Sequence, residues 1–233
     1  MNEHLRLFCW KAGKRLKNDP ILKKFAPHYF KYAKENIPCE CPACKCPAGS
    51  FYRYSFAYID EIQKIIYFDV PKSASTTIRR AFFDNKTSMS MTNKKDSLES
   101  YFKFTFVRNP WDRMVSNWKM FTTQPPRINQ LKTMTNEDLG KFEDFVHFAI
   151  KKPNHHWQPQ SLYTPEKLDF IGKLETIDTD MNKMRELLNQ APLKMEKHNS
   201  TKRNEYQAYY TPSLIDLVAE FYQEDIKKFD YIF

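Results

Sequence analysis

Residues 65–80 read IIYFDVPKSASTTIRR, a strand running straight into a polar, hydroxyl-rich turn. Residues 65–70 form an apolar, β-branched and aromatic run, the pattern of a buried strand. Pro71 stops the ladder. Lys72, Ser73, Ala74, Ser75, Thr76 and Thr77 then supply a cation, hydroxyls and a row of backbone N–H groups. Residues 78–83 have the composition to continue as a helix. A loop feeding a helix N-terminus is an anion site, because unpaired N–H groups and the helix dipole both favour negative charge there. Phosphate or sulfate is the natural ligand. A plain strand-to-helix turn with a Ser or Thr cap uses the same residue types, so this segment alone does not separate the two.

Comparison with a nucleotide-binding P-loop narrows the ligand. An ATPase loop reads GxxxxGK[ST], with glycines early and the lysine at the end. Residues 71–77 contain no glycine, and Lys72 stands near the start. An ATP or GTP loop of the usual kind is excluded. The order P-K-S-A-S-T closely resembles the 5'-phosphosulfate loop of sulfotransferases, which use 3'-phosphoadenosine-5'-phosphosulfate (PAPS) and show PK-x-[AG]-[ST]-[ST] after a strand. The resemblance implies that Lys72, Ser73, Ala74, Ser75, Thr76 and Thr77 bind the donor.

Residues 102–118, FKFTFVRNPWDRMVSNW, repeat the strand-loop-helix plan. Asn109 is a candidate N-cap and Pro110 suits the first helical position. With Pro110 opening the helix, Arg108 lies just before it and Ser116 about two turns along it. Sulfotransferases carry R-x-P-x-x-R-x-x-S as their 3'-phosphate motif, and Arg108 and Ser116 match its ligand positions. Asp112 and Arg113 are expected to cap or pair on their own helix.

Towards the C-terminus the likeness narrows to one branch. His155, His156, Trp157, Gln158, Pro159 and Gln160 precede LDFIGKLE at residues 168–175, with Asp180 beyond. This resembles the carbohydrate sulfotransferases, the group with the chondroitin, dermatan and HNK-1 enzymes and bacterial relatives, which show HW-x-P and then DFIGK-x-E. Residues 206–231 resemble the closing helix of that branch, which usually ends in FGY; here Asp230 replaces the glycine. Lys202 and Arg203 are further donor-binding candidates by their place in the tail.

Strands alternating with helices imply a parallel sheet with ligands at the C-terminal ends of its strands. The expected fold class is α/β, a P-loop-type three-layer fold with a central parallel sheet flanked by helices. Residues 1–50 read as a basic helical extension with a Cys-rich connector, and residues 51–233 as the catalytic domain. Within it, residues 51–68 suggest a strand pair and 87–100 a polar loop. Residues 124–136, with Pro125 and Pro126, suggest another loop. Residues 136–150 suggest a helix with Leu139, Phe142, Phe145, Val146 and Phe148 or Ala149 near core spacing.

With 233 residues the chain is long enough for one α/β domain with a substantial core. Its 4 glycines include no G-x-G-x-x-G, which excludes a glycine-cradled dinucleotide site. A net charge of +9 suits an enzyme with an anionic donor; a nucleic-acid binder has similar charge, but no nucleic-acid motif is present. Residues 3–17 form a basic, mildly amphipathic segment, read as a packed N-terminal helix rather than a membrane-surface one. No apolar run reaches the length of a membrane span, and no secretory signal is evident. No cysteine follows Cys46, whereas lumenal members of the branch often carry cysteines after the HW element. The expectation is therefore a soluble, cytoplasmic protein, with the Golgi lumen as the alternative if an anchor is missing from this chain. Cys39, Cys41, Cys44 and Cys46 admit a structural zinc knuckle, two disulfides or free thiols.

The resemblance implies in-line attack of an acceptor hydroxyl on the sulfur of PAPS, with Lys72 neutralising charge on the leaving phosphate. Histidine has the pKa for the general base. His156 occupies the family's HW position, His155 stands beside it, and Glu175 is a further candidate. The acceptor is expected to be a saccharide, chosen by residues 85–100 and 123–136. Two rivals are a phosphoryl kinase, against which the glycine-free loop speaks, and a catalytically silent phosphoadenosine-nucleotide-binding module of the same fold.

Overall fold

The computed structural model describes residues 57–83, 100–165, 167–192 and 205–233. The N-terminal extension, the four cysteines of the connector, most of the loop at 87–100, and Lys202 and Arg203 lie outside the described residues.

Strands β1 (Ala57–Asp60), β2 (Ile65–Phe68), β3 (Phe102–Val107) and β4 (Phe170–Lys173) make one sheet in the order β1-β2-β3-β4. The pairs β2–β3 and β3–β4 are parallel, whereas β1 runs antiparallel to β2 through the turn after Asp60. The expected parallel sheet thus carries an antiparallel strand beside β2. The Asp60 carboxylate closes the hairpin by accepting from the N–H groups of Ile62 and Gln63 at 2.8 and 2.9 Å.

All of β2 is buried, which is why it reads as a continuous apolar run rather than an alternating one. Alternation still decides what each residue meets. Ile65 and Tyr67 join Phe104 and Phe106 under α1 (Ser75–Phe83), whose Ile78, Phe82 and Phe83 bury the same helix face. Met181 and Met184 of α5 (Ile177–Leu187) complete that layer. Ile66 and Phe68 point the other way, with Ala57, Ile59 and Tyr101. Gly172 has a steric cause: a Cβ there would stand 2.3 Å from the ring of Phe106.

A second core gathers α2 (Pro110–Thr123), α4 (Phe142–Lys151), α6 (Pro212–Phe221) and α7 (Gln223–Phe229) around Val70, Val107 and Trp157. Its buried position off the strand ends Val70 and Val107 makes it the support for whatever those ends carry. Asn109 caps α2, its Oδ1 accepting from Trp111 N at 3.0 Å and Asp112 N at 3.4 Å, with Pro110 in the first turn.

Three sequence expectations change. The proposed loop at 124–136 contains a helix, α3 (Pro125–Lys132), whose prolines occupy the first turn, where a missing N–H costs nothing. The helix expected from residue 136 begins at Phe142, because Asp138 Oδ1 accepts from Gly140 N at 3.0 Å and holds a local turn instead. Leu139 is buried all the same. The closing segment is a 3₁₀ turn at Tyr206–Tyr209 followed by α6 and α7, which break at Tyr222. Asp230 ends α7 at φ 52°, ψ 62°, the left-handed cap that a glycine usually fills. The departure at this position therefore preserves the backbone geometry.

Candidate functional site

The turn between β2 and α1 takes positive φ at two residues, 73° at Lys72 and 62° at Ala74. Left-handed residues alternating with ordinary ones turn successive N–H groups toward one side, the geometry of an anion-binding concavity. Neither residue is a glycine, so each conformation costs about 1–2 kcal/mol and must be held by its surroundings. Ser73 N and Ser75 Oγ both donate to Val70 O at 3.2 Å, and Ser73 Oγ donates to Gln160 Oε1 at 3.2 Å. Thr76 is exposed and Thr77 half-buried, on the first turn of α1. Beneath the loop, Asp69 accepts from Tyr67 Oη at 3.1 Å, and burial raises its carboxyl above the ordinary range.

Arg108 follows β3 directly. Its Nε donates to Asp112 Oδ2 at 2.7 Å, and its Nη1 donates to Lys72 O at 3.2 Å. The first contact pins the guanidinium to the first turn of α2, and the second joins the two strand-end loops. Arg113 does not pair on its helix as expected. It is fully buried and donates to Pro71 O at 2.9 Å, Gln158 O at 2.9 Å and His156 O at 3.1 Å. Further along α2, Lys72 Nζ reaches Met120 Sδ at 3.5 Å. Ser116, half-buried, lies one turn from each of Arg113 and Met120, on the helix stripe that meets residues 71–72.

The segment holding the two histidines packs against this assembly. His156 N donates to Asn154 Oδ1 at 2.7 Å. Arg127 Nη1, from α3, lies 3.2 Å from His156 Nε2. A guanidinium only donates, so Nε2 accepts and the ring proton sits on Nδ1. Burial drives the imidazole far below its usual range, with His155, Arg127, Lys72 and Arg113 adding to the effect. His156 is neutral at physiological pH. The His155 ring lies with its centroid 3.9 Å from that of His156, and Tyr163 Oη donates to the His155 carbonyl. Glu175 instead receives Asn109 N at 2.6 Å and Tyr231 Oη at 3.1 Å, at the N-terminus of α2.

This geometry joins two cation-bearing turns at the ends of two parallel strands, with a buried imidazole alongside. The profile of the Sulfotransferase family matches residues 56–232, which takes in every described element. The chain belongs to the sulfotransferase family. Similar proteins include carbohydrate sulfotransferase 11 of Rattus norvegicus, 30% identical over 176 residues, covering 53% of this chain and 50% of that protein. Carbohydrate sulfotransferase 9 of Homo sapiens is 25% identical over 240 residues, covering 78% of the chain and 54% of its own length. Carbohydrate sulfotransferase 10 of Xenopus laevis is 27% identical over 156 residues, with 54% and 41% covered. The chain thus spans about half the length of the curated relatives it matches. No solved structure matches it.

In this member of the family the structure brings Lys72, Ser73, Ala74 and Ser75 together with Arg108, and sets Ser116 on the helix face toward them. Glu175 is engaged at the N-terminus of α2, accepting from Asn109 N and Tyr231 Oη. Among the described residues no group of His, Cys, Asp or Glu is arranged to hold a metal ion, and no helix is long and apolar enough to cross a membrane. Sequence reading missed Arg127, Arg113 and Gln160 as members of the site. Arg113 stood inside R-x-P-x-x-R and Gln160 inside HWQPQ, so their motifs were a signal. Arg127 lay within residues 123–136, expected to select the acceptor, but nothing in its local sequence relates it to a histidine 29 positions away.

Proposed function

We propose that this sulfotransferase moves the sulfuryl group of PAPS to a carbohydrate hydroxyl. One observation carries the reading most: Arg108 Nη1 donates to Lys72 O at 3.2 Å, so the 5'- and 3'-phosphate motifs form one cationic site. The named relatives, carbohydrate sulfotransferases 9, 10 and 11, favour a saccharide as acceptor.

The residues present fit the donor. The left-handed turn offers N–H groups without a metal, and the hydroxyls of Ser75, Thr76 and Thr77 lie around it. These groups hold the 5'-phosphate, while Arg108 and Ser116 hold the 3'-phosphate, with Lys202 and Arg203 as further contributors. PAPS supplies an activated sulfuryl group. Lys72 stabilises the charge that gathers on the bridging oxygen as the sulfur–oxygen bond to phosphate breaks and its electron pair stays with phosphate. His156 Nε2 takes the proton of the attacking hydroxyl after exchanging Arg127 for that hydroxyl, with the negative charge of the bound donor offsetting the neighbouring cations that depress its basicity; His155 is the second choice for this role. Positioning and charge stabilisation carry the rate, as in phosphoryl transfer.

Calorimetric titration of adenosine 3',5'-bisphosphate into the wild type and Arg108→Ala tests the site. Micromolar or tighter binding, weakened at least about tenfold in the variant, is expected for loss of a charge-assisted contact. No binding to the wild type refutes the donor reading. Binding without turnover of PAPS on any saccharide would instead identify the silent nucleotide-binding module.

A further inference from the structure

Gln160 is completely buried, yet its side chain makes no use of its own neighbourhood in sequence. Oε1 accepts from Arg108 N at 3.0 Å and from Ser73 Oγ at 3.2 Å, and Nε2 donates to Arg108 O at 2.7 Å. The side-chain amide thus pairs with both polar groups of one peptide residue, as a neighbouring strand would. It does so where the ladders run out: β3 last pairs with β2 at Thr105 and with β4 at Val107. The amide itself is anchored from behind. Gln160 opens the 3₁₀ turn Gln160–Tyr163, and the fully buried Asp225 carboxylate accepts from Gln160 N at 2.7 Å and Ser161 N at 2.8 Å. Asp225 belongs to α7, so the C-terminal helix braces the turn that braces the loops.

We propose that Gln160 is the positioning residue that sets the two donor-binding loops at one fixed separation, so that the phosphosulfate turn and Arg108 engage a bisphosphate nucleotide as a unit. This rests on the donor-site reading above. Three features support it. The amide contacts Ser73 in the first loop and Arg108 in the second. Its chemistry, one acceptor atom and one donor group, matches the carbonyl and N–H of Arg108 with no polar atom left over. Its burial means that every one of these bonds must be made, since an unpaired polar group there is costly. Arg108 supplies a second tie between the loops through Lys72 O, but that tie uses the side chain that the ligand also needs. Gln160 holds Arg108 through its backbone N–H and carbonyl, not through the guanidinium.

The test is titration of adenosine 3',5'-bisphosphate into wild type, Gln160→Met and Gln160→Glu at a temperature where circular dichroism shows all three folded. Methionine keeps the length and loses every hydrogen bond. It should weaken binding about tenfold or more, the equivalent of one to two hydrogen bonds. Arg108→Ala should then cost less affinity in the Gln160→Met background than in the wild type, because the arginine is already out of register. Glutamate gives a readout that a purely structural role does not move. Near pH 8 its carboxylate opposes the Arg108 carbonyl, whereas toward about pH 5 a protonated carboxyl regains the donor. The Kd ratio of Gln160→Glu to wild type should fall as pH is lowered. Wild-type affinity in folded Gln160→Met, or a Gln160→Glu ratio flat with pH, overturns the proposal and leaves the donor site standing. Should Gln160→Met not fold, the Gln160→Glu ratio decides alone. Failure of the wild type to bind overturns the donor site itself.

Discussion

Replacing Arg113 gives the severest test of how the site is held. Its guanidinium is fully buried and feeds three carbonyls on two separate segments, Pro71 before the phosphosulfate turn and His156 and Gln158 in the histidine segment. It lies over the Tyr222 ring at 5.9 Å and beside Asp225. In Arg113→Met two buried acceptors and one part-buried acceptor lose their partner, and Asp225 loses a favourable charge. Against this stands the relief of no longer burying a cation. Breaking a buried charge from its partners typically costs about 3–5 kcal/mol, because the groups left behind stay desolvated. For a domain of this size that corresponds to a Tm lowered by about 6–20 °C. Arg113→Lys keeps the charge but not the planar fork, and a single ammonium does not span three diverging carbonyls, so most of the loss should remain. The assay is urea denaturation monitored by tryptophan fluorescence, with a thermal melt alongside. Asp225 supplies an internal check of sign. Burial already raises its carboxyl, and Arg113 opposes that rise. Without Arg113 the folded-state pKa climbs further above the unfolded value, so stability present at low pH is lost as pH rises through it. The deficit of Arg113→Met should therefore be larger at pH 8 than at pH 5. A loss under about 1 kcal/mol, or a lysine variant equal to the wild type, would refute the stapling role.

Two further outcomes are expected. Glu175→Gln keeps one acceptor oxygen for Asn109 N, and its amide nitrogen can donate to Tyr231 Oη, a hydroxyl that also accepts, so stability should fall by no more than about 1 kcal/mol and turnover of PAPS should stay within about tenfold; a general base lost outright removes about 10²–10⁴ of the rate, and a drop of that size would restore Glu175 as a candidate. Neutral His156 should make stability fall on acidification: its folded pKa lies below the unfolded value, so the unfolded chain binds the extra proton as pH drops below about 6.5, at a limiting slope of about 1.4 kcal/mol per pH unit. The buried carboxyls Asp69 and Asp225 act in the opposite sense, so the measurement is the difference between the wild type and His156→Gln from about pH 6.5 to pH 4.5; a difference flat with pH would mean the imidazole is not held neutral.

The two strand-loop-helix units were legible because their signals are local. A buried parallel strand writes itself as an apolar run, and a cap followed by proline marks the start of α2 within two residues. Local rules also produced the errors. Pro125 and Pro126 read as breakers, although a proline in a first turn starts a helix as readily as two together mark a loop. Asn109 was identifiable as a cap, but its second duty was not: its Nδ2 donates to Ile232 O at 2.8 Å, from the far end of the chain. The same holds for Asp225, which reads as an ordinary first-turn acid of α7 and in the structure is a buried acceptor for residues 65 positions away. Contacts of that range leave no periodicity, and only the residue types hint at them.

The absence of glycine from the phosphosulfate turn follows from the same long-range support. A glycine would take positive φ at Lys72 or Ala74 without strain, but it would remove the cation from one position and add unfolded-state freedom at the other. The chain instead holds two side-chain-bearing residues in left-handed conformations, a combined cost of roughly 2–4 kcal/mol. Bonds from outside the turn oppose that cost: Arg108 on the Lys72 carbonyl, Arg113 on the Pro71 carbonyl and Gln160 on the Ser73 hydroxyl. Each comes from the second motif or the histidine segment, and none from the turn itself. Two bonds inside the turn, Ser73 N and Ser75 Oγ to Val70 O, add to this support, and the turn is completed only when β3, α2 and the HWQPQ segment have docked. An isolated peptide spanning residues 65–83 lacks every one of the restraints from outside the turn, which is why the sequence motif alone, however well matched, specifies the residues of the site without specifying its shape.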